Sequence, residues 1–173
     1  MWTECAGLPF YHAPHSGYQR LAFGETTVIA DTGKTLSRGL LHKANAGCLS
    51  FEMSSGQRRF IVNCGIDTYS PADFRFFGRL TAGHSTATVN DTSSCRFCQP
   101  DRPSSAIASG PDRVQVRRIE QDNLQGFVAV HDGYRHHFNL LHQRSMTLSH
   151  TGDILEGSDS FFTGRAVLPA EIA

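Results

Sequence analysis

The run Cys48-Leu49-Ser50-Phe51-Glu52-Met53, then Ser54-Ser55-Gly56-Gln57 and, after Arg58, Arg59-Phe60-Ile61-Val62-Asn63-Cys64-Gly65, reads as a β-hairpin. In its first arm Leu49, Phe51 and Met53 alternate with Cys48, Ser50 and Glu52, the period of two that a half-buried strand requires. Gly56 supplies the turn between the arms. Beyond an aromatic and basic segment the stretch closes on Thr81-Ala82-Gly83-His84-Ser85-Thr86-Ala87-Thr88-Val89-Asn90-Asp91. That segment reads as a further strand with His84 at its entrance. Polar groups then gather at strand ends above an apolar sheet, where a site would sit.

Working outward, Tyr18–Phe23 and Thr26–Asp31 read as two strands joined by a tight Gly24-Glu25 turn. Residues 32–43, with Gly33 and Gly39, read as a loop, and Leu36 to Ala46 as a short helical turn. Residues 66–80 carry Tyr69, Phe74, Arg75, Phe76, Phe77 and Arg79. Residues 90–110 form a long polar excursion. Strand patterns resume at Arg113–Ile119 and Gly126–His131, then at Phe138–Leu141 and Ser145–Ser149. Thr151-Gly152-Asp153 turns the chain into Ile154–Gly157. Nowhere do apolar residues hold helical spacing over three turns. Roughly ten short strands at regular intervals specify an all-β fold, an antiparallel β-sandwich. Residues 17–173 read as that sandwich, and residues 1–16 as a lead-in or the remnant of an upstream domain.

The length of 173 residues suits one domain with a real core. Lys plus Arg and Asp plus Glu are 16 each, so a formal charge of zero gives no global attraction to nucleic acid or to an anionic membrane. No stretch approaches the roughly 18 apolar residues of a membrane span. Met1-Trp2-Thr3-Glu4-Cys5 lacks the basic and apolar regions of an export signal. Among the five cysteines, Cys48 and Cys64 read as small buried hydrophobes. Cys95-Arg96-Phe97-Cys98 is a lone CxxC, read first as unconnected loop thiols, with a redox pair and a metal clip as the alternatives.

Several segments, taken in order, resemble one family. Gly47-Cys48-Leu49-Ser50-Phe51-Glu52-Met53, Val62-Asn63-Cys64-Gly65, Arg79-Leu80-Thr81-Ala82-Gly83-His84-Ser85-Thr86, His131-Asp132-Gly133-Tyr134 and His142-Gln143-Arg144 are similar to the heparinase II/III-like domain. The resemblance runs from Gly17 to Phe162. It implies the sandwich of a polysaccharide lyase that acts on an acidic, uronate-containing polysaccharide, such as a glycosaminoglycan, in the periplasm or cell envelope. It also implies an α/α toroid domain upstream in full-length relatives, and a sandwich truncated at its C-terminal end here. The implied chemistry is β-elimination: the uronate carboxylate is stabilised, a base takes the C5 proton and an acid protonates the departing C4 oxygen. The toroid would contribute a tyrosine, and zinc or calcium bound at the sandwich would organise the groups.

Carried over position by position, the family's His-x-His-Ala-Asp-like run becomes His42-Lys43-Ala44-Asn45-Ala46-Gly47. Asn45 then stands where a metal-binding histidine is implied, Lys43 where the other histidine is, and His42 lies one step off as the catalytic candidate. Asn63 takes the place of an aspartate, and His84 matches the third metal ligand. Neutral amides are weak ligands for zinc. Arg75 and Arg79 are candidates for pairing with a sugar carboxylate, a guanidinium being suited to a bidentate contact. Equally, their stems could pack on the aromatic surface. His131-Asp132 reads as a His–Asp pair or as part of a plain Asp132-Gly133 hairpin turn, and His136-His137 as a solvated strand end. Two functions follow. One is the sandwich part of a lyase, inactive without its toroid; the alternative is a non-catalytic module that binds glycan or packs against another domain. A lesser third reading is a fragment whose exposed strand edges pair with a second copy.

Overall fold

The computed structural model describes residues 11–13, 15–35, 44–65, 69–99 and 105–163. One sheet contains β1 (His12–Ala13), β2 (Tyr18–Phe23), β3 (Thr26–Asp31), β4 (Phe51–Ser55) and β5 (Arg58–Ile61), side by side in chain order. The facing sheet contains β8 (Val114–Gln121), β9 (Leu124–His131), β10 (Leu141–Ser149) and β11 (Leu155–Phe162), in the order β11-β10-β9-β8. Between them in sequence, β6 (Arg96–Phe97) and β7 (Ile107–Ser109) form a small ribbon. Every pairing is antiparallel. The described residues therefore form the all-β antiparallel sandwich that the sequence pattern specifies. Two short helices interrupt it, α1 (Ala72–Phe77) and α2 (Arg135–Phe138).

Leu21, Val28, Ala30 and Leu49 on one side meet Phe127, Ala129, Met146 and Leu148 on the other, and all are buried. Burying each large apolar side chain contributes about 1.5–3 kcal/mol, which is why the period-two pattern dictates the fold. A second cluster of Ala44, Ala46, Cys95, Phe97 and Ile107, with Phe76 and Leu80 packed on it, seats the loops that carry the candidate site.

Several local expectations are corrected. The first hairpin arm starts as a strand at Phe51, not Cys48, because Leu49 adopts φ 63 while its side chain stays fully buried. Its N–H donates to the Asp31 carbonyl at 2.7 Å, so the chain enters the sheet through a turn. Residues 81–91 form no strand. Thr81–Gly83 is a 3-10 turn, His84 is the extended residue after it, and Val89 and Thr92 form an isolated bridge. Hydroxyls take over the role of a ladder here: Thr81 donates to the Ala46 carbonyl, Thr86 to the Cys48 carbonyl and Ser85 to the Phe51 carbonyl. The aromatic segment forms α1. Phe138 ends α2 rather than starting a strand, and Asn139 turns the chain with φ 55 into one nine-residue strand, β10. His136 and His137 accordingly lie exposed on α2. Cys64 is exposed, unlike Cys48, and the four described cysteines are free thiols. The expected helical turn over residues 36–46 falls mostly outside the described residues.

Gly17 shows how tightly the first hairpin is tied. It has φ +80, and a Cβ there would lie 2.4 Å from Gly33 Cα, while its carbonyl accepts the Thr32 N–H at 2.9 Å. Gly17→Ala is expected to cost about 1–3 kcal/mol in urea unfolding. Gly65→Ala, where a Cβ meets nothing within 4 Å, should stay within about 0.5 kcal/mol of the parent. Equal midpoints for the two variants would contradict this.

Candidate functional site

Three stretches meet at one end of the first sheet: residues 44–50, the exit of β5 at Asn63, and residues 84–86. His84 packs its ring on Gly47, where an added Cβ would lie 3.1 Å from His84 Cδ2. Both His84 ring nitrogens are buried without a hydrogen-bond partner among the described residues. Burial pushes its pKa down, against an opposing pull from Glu52, so the ring is held neutral.

Asn63 is engaged at both ends of its side-chain amide. Its Oδ1 accepts the Ser85 N–H at 2.8 Å and its Nδ2 donates to Ser50 Oγ at 3.4 Å. Its own N–H donates to Glu52 Oε1 at 3.2 Å. Asn63 thus staples the His84–Ser85 segment to the β4–β5 hairpin. Asn45 is exposed on the rim of a cleft that also includes Asp31, Cys48 and Cys95. His42 lies outside the described residues.

Arg79 lies inside the molecule, 1% exposed. Its Nε and Nη2 donate to the Ala44 carbonyl at 3.1 and 2.9 Å, and Nη1 donates to the Ser105 carbonyl at 2.7 Å. The guanidinium sits 4.9 Å over the Phe97 ring. In this geometry it clamps two loops together. Arg75 is half-buried on α1, beside the exposed rings of Phe74 and Phe77.

The described donors do not fit a metal. Zinc takes thiolates, imidazoles or carboxylates, and this set offers one imidazole and two amides, one of which is committed at both ends. Calcium takes six to eight oxygens, with carboxylates prominent. No group of three His, Cys, Asp or Glu among the described residues is placed to hold an ion.

Behind this cluster lies a buried polar network that the sequence reading passed over. Gly133 N–H donates to His131 Nδ1 at 3.0 Å, so the proton of a neutral His131 sits on Nε2. Nε2 then donates to His142 Nδ1 at 3.0 Å, which leaves His142 Nε2–H to donate to Asp159 Oδ1 at 2.7 Å. The tautomers are assigned from this hydrogen-bond pattern. Arg144 completes the chain. Its Nε and Nη2 grip Asp159 at 2.9 and 2.7 Å, and its Nη1 donates to the Leu49 and Ser85 carbonyls, each at 2.6 Å. The network therefore holds the backbone beside His84. Burial pushes the His131 pKa down to about 3, helped by His142 and Arg144 and opposed by Asp159. Burial works against the Asp159 carboxylate, but hydrogen bonds from His142 and Arg144 hold its pKa well below the usual range. His142 and Arg144 share the buried face of β10 with Met146 and Leu148, in alternation with half-buried Gln143, Ser145 and Thr147; that was the available signal.

Comparison with known proteins agrees with this architecture. The family described as "Heparinase II/III-like, C-terminal" matches residues 6–166. FtsZ-localized protein C of Caulobacter vibrioides is 32% identical over 151 residues, 86% of this chain and 26% of that protein. The heparan sulfate lyase HepC of Pedobacter heparinus, solved as a mutant, superposes with a TM-score of 0.58 at 19% identity, over 79% of this chain and 19% of the lyase. A heparinase III with methylated lysines gives 0.53 at 20% identity, over 82% and 20%. The chain thus spans about a quarter of the curated relative's length and about a fifth of each solved lyase's. The chain belongs to the heparinase II/III-like family through its C-terminal β-sandwich domain.

Proposed function

We propose that this chain acts as a non-catalytic module that binds an acidic glycan. One observation carries the reading. Asn63, at the position where the resemblance implies a metal-binding aspartate, spends both ends of its amide on Ser85 and Ser50. A residue used in that way works as a loop staple. The buried, carbonyl-bound guanidinium of Arg79, held away from any sugar carboxylate, supports only the non-catalytic half of that reading. The partner on this reading is a uronate-containing polysaccharide of the periplasm or cell envelope, with an α/α toroid as the neighbouring domain in longer family members.

A second reading is favoured by His84 itself. A neutral imidazole with both nitrogens buried and unpartnered among the described residues is costly to maintain for packing alone. It suits the sandwich half of a lyase, in which another domain and His42 complete the chemistry.

Lyase assays on a panel of uronate polysaccharides, read as ultraviolet absorbance of the unsaturated product, test the non-catalytic reading; without the other domain the second reading expects a flat trace as well. The assays use the whole chain with and without zinc or calcium. The expected trace is flat in every case. Absorbance that grows in the parent and is lost in His84→Ala would overturn the non-catalytic reading and establish a working site in the sandwich.

A further inference from the structure

The second sheet is open on both sides. β8 and β11, of 8 residues each, are its two edges, and no further strand pairs with either among the described residues. Edges of this length are normally blunted by proline, lysine or a bulge. Neither strand contains proline or lysine, and both pair without a register shift, β8 with β9 and β11 with β10. What these edges do carry is charge on the inner face. Arg118 of β8 reaches the Arg20 carbonyl of the facing sheet, and Asp159 of β11 is bound by His142 and Arg144.

The sheet has an even number of antiparallel strands, so β8 and β11 run in opposite directions. Simple translation therefore lays β11 of one copy antiparallel to β8 of the next. The hydrogen-bond phase fits as well. Gln121 faces Leu124 across a two-residue turn, so alternation along the ladder directs the N–H and C=O groups of Val116 and Arg118 to the open edge. Ser149 N–H donates to the Ile154 carbonyl at 3.0 Å, and the same alternation directs those of Asp159 and Phe161 to the open edge of β11. The facing sheet is hardly wider, since its fifth strand, β1, has only 2 residues.

We propose that this surface binds a second copy of the chain: β11 of one molecule pairs with β8 of the next, Asp159 opposite Arg118 and Phe161 opposite Val116. The proposal stands apart from the glycan reading. Register and charge select it. A slip of one residue turns the faces over, and a slip of two sets Asp159 against Val116 and Leu155 against Glu120, charge against apolar surface. Pairing β11 with itself about Asp159 sets two carboxylates face to face. Pairing β8 with itself to match Arg118 with Glu120 leaves only Arg117 to Gln121 in register. In the mixed seam Arg144, Asp159 and Arg118 form a row of alternating charge. Arg118 already holds Glu120 at 3.2 Å and Arg144 holds Asp159 at 2.7 Å, so the seam joins two satisfied pairs. On the outer face Arg117, which makes no ion pair among the described residues, falls opposite exposed Ser160. The contact is heterologous: each added copy leaves one β8 and one β11 free, so it repeats, at about 19 Å per copy.

Sedimentation velocity of the full chain, from roughly 1 to 300 µM, tests this. The average mass should climb past twice the 19.0 kDa of one chain without a plateau. Ser160→Lys sets a cation against Arg117 across the seam and should weaken association at least about tenfold, while the urea midpoint of the dilute chain stays at that of the parent. Ser160→Asp should tighten association, and Arg117→Glu added to Ser160→Lys in the same chain should restore it to within about threefold of the parent. A mass that stays at one chain throughout would overturn the proposal. So would a plateau at two chains, which means a closed pair through another surface. Equal association of the Ser160→Lys and Ser160→Asp chains would place any assembly away from the β8–β11 seam and would overturn it too.

Discussion

Arg144→Met is expected to lower unfolding free energy by roughly 3–5 kcal/mol, the cost of breaking a buried ion pair from one side. Arg144 is 8% exposed, and its four hydrogen bonds reach Asp159, Leu49 and Ser85. Without the guanidinium, two inward-facing carbonyls lose a donor, at about 1–3 kcal/mol for each that stays dry. Among the described residues Asp159 then keeps only His142, and its carboxylate is partly solvated, which caps the loss. Arg144→Lys should recover little, because one ammonium cannot grip both carboxylate oxygens and also span two carbonyls. Asp159→Asn in the Arg144→Met background should cost less than the two single changes added together, since the two residues act as one unit. Urea unfolding measures the parent, Arg144→Met, Arg144→Lys, Asp159→Asn and the double variant. A loss under about 1 kcal/mol in Arg144→Met would mean that the network is not the tie it looks to be. Amide exchange at Ser85 should accelerate in the same variant, because the clamp on that loop is gone.

The sequence made parts of this fold plain for identifiable reasons. The β2–β3 hairpin is legible because alternation and a Gly-containing turn act within a dozen residues, and the structure pairs Phe23 with Thr26 across Gly24-Glu25. Leu49 was misread because a buried leucine keeps the apolar period even at φ 63, where the backbone is no longer a strand. The stretch after Thr81 has strand-like residues, yet its hydroxyls bond to the Ala46, Cys48 and Phe51 carbonyls, which the local pattern cannot reveal. The His131–His142–Asp159 chain was hidden for a similar reason. Register alone puts His142 opposite His131 and Arg144 opposite Asp159, and no local pattern encodes register across three strands. Asn63 was legible as a substitution, but its use as a staple depends on Ser85, 22 positions away. For Arg79 the sequence left two roles open; in the structure its guanidinium lies over Phe97 and binds the carbonyls of flanking loops.

Asp31→Asn is expected to stabilise the protein by about 2–3 kcal/mol at pH 8 and by almost nothing near pH 4. Burial pushes the Asp31 carboxyl up to about 6, against a hydrogen bond from the Gly33 N–H at 2.8 Å that an asparagine oxygen would keep. Because the folded state holds this proton more tightly than the unfolded chain, Asp31 makes stability fall as pH rises from about 4 to 6. His131 acts in the opposite sense. Its folded pKa is about 3, so below about 6.5 the unfolded chain takes up a proton that the folded state refuses, and stability falls as pH drops. Each slope is about 1.4 kcal/mol per pH unit, and between pH 4 and 6 they nearly cancel. The parent should therefore show a nearly flat stability profile there, with Asp159 adding a loss only below its unfolded range. Removing Asp31 exposes the His131 slope, so Asp31→Asn should lose roughly 3 kcal/mol between pH 6 and 4 while the parent hardly changes. Urea midpoints at pH 4, 6 and 8 for the two proteins decide it. Parallel profiles would mean that Asp31 titrates as an ordinary carboxylate. A flat profile in the variant would mean that His131 does, and that the buried chain from Gly133 to Asp159 accepts a proton without cost.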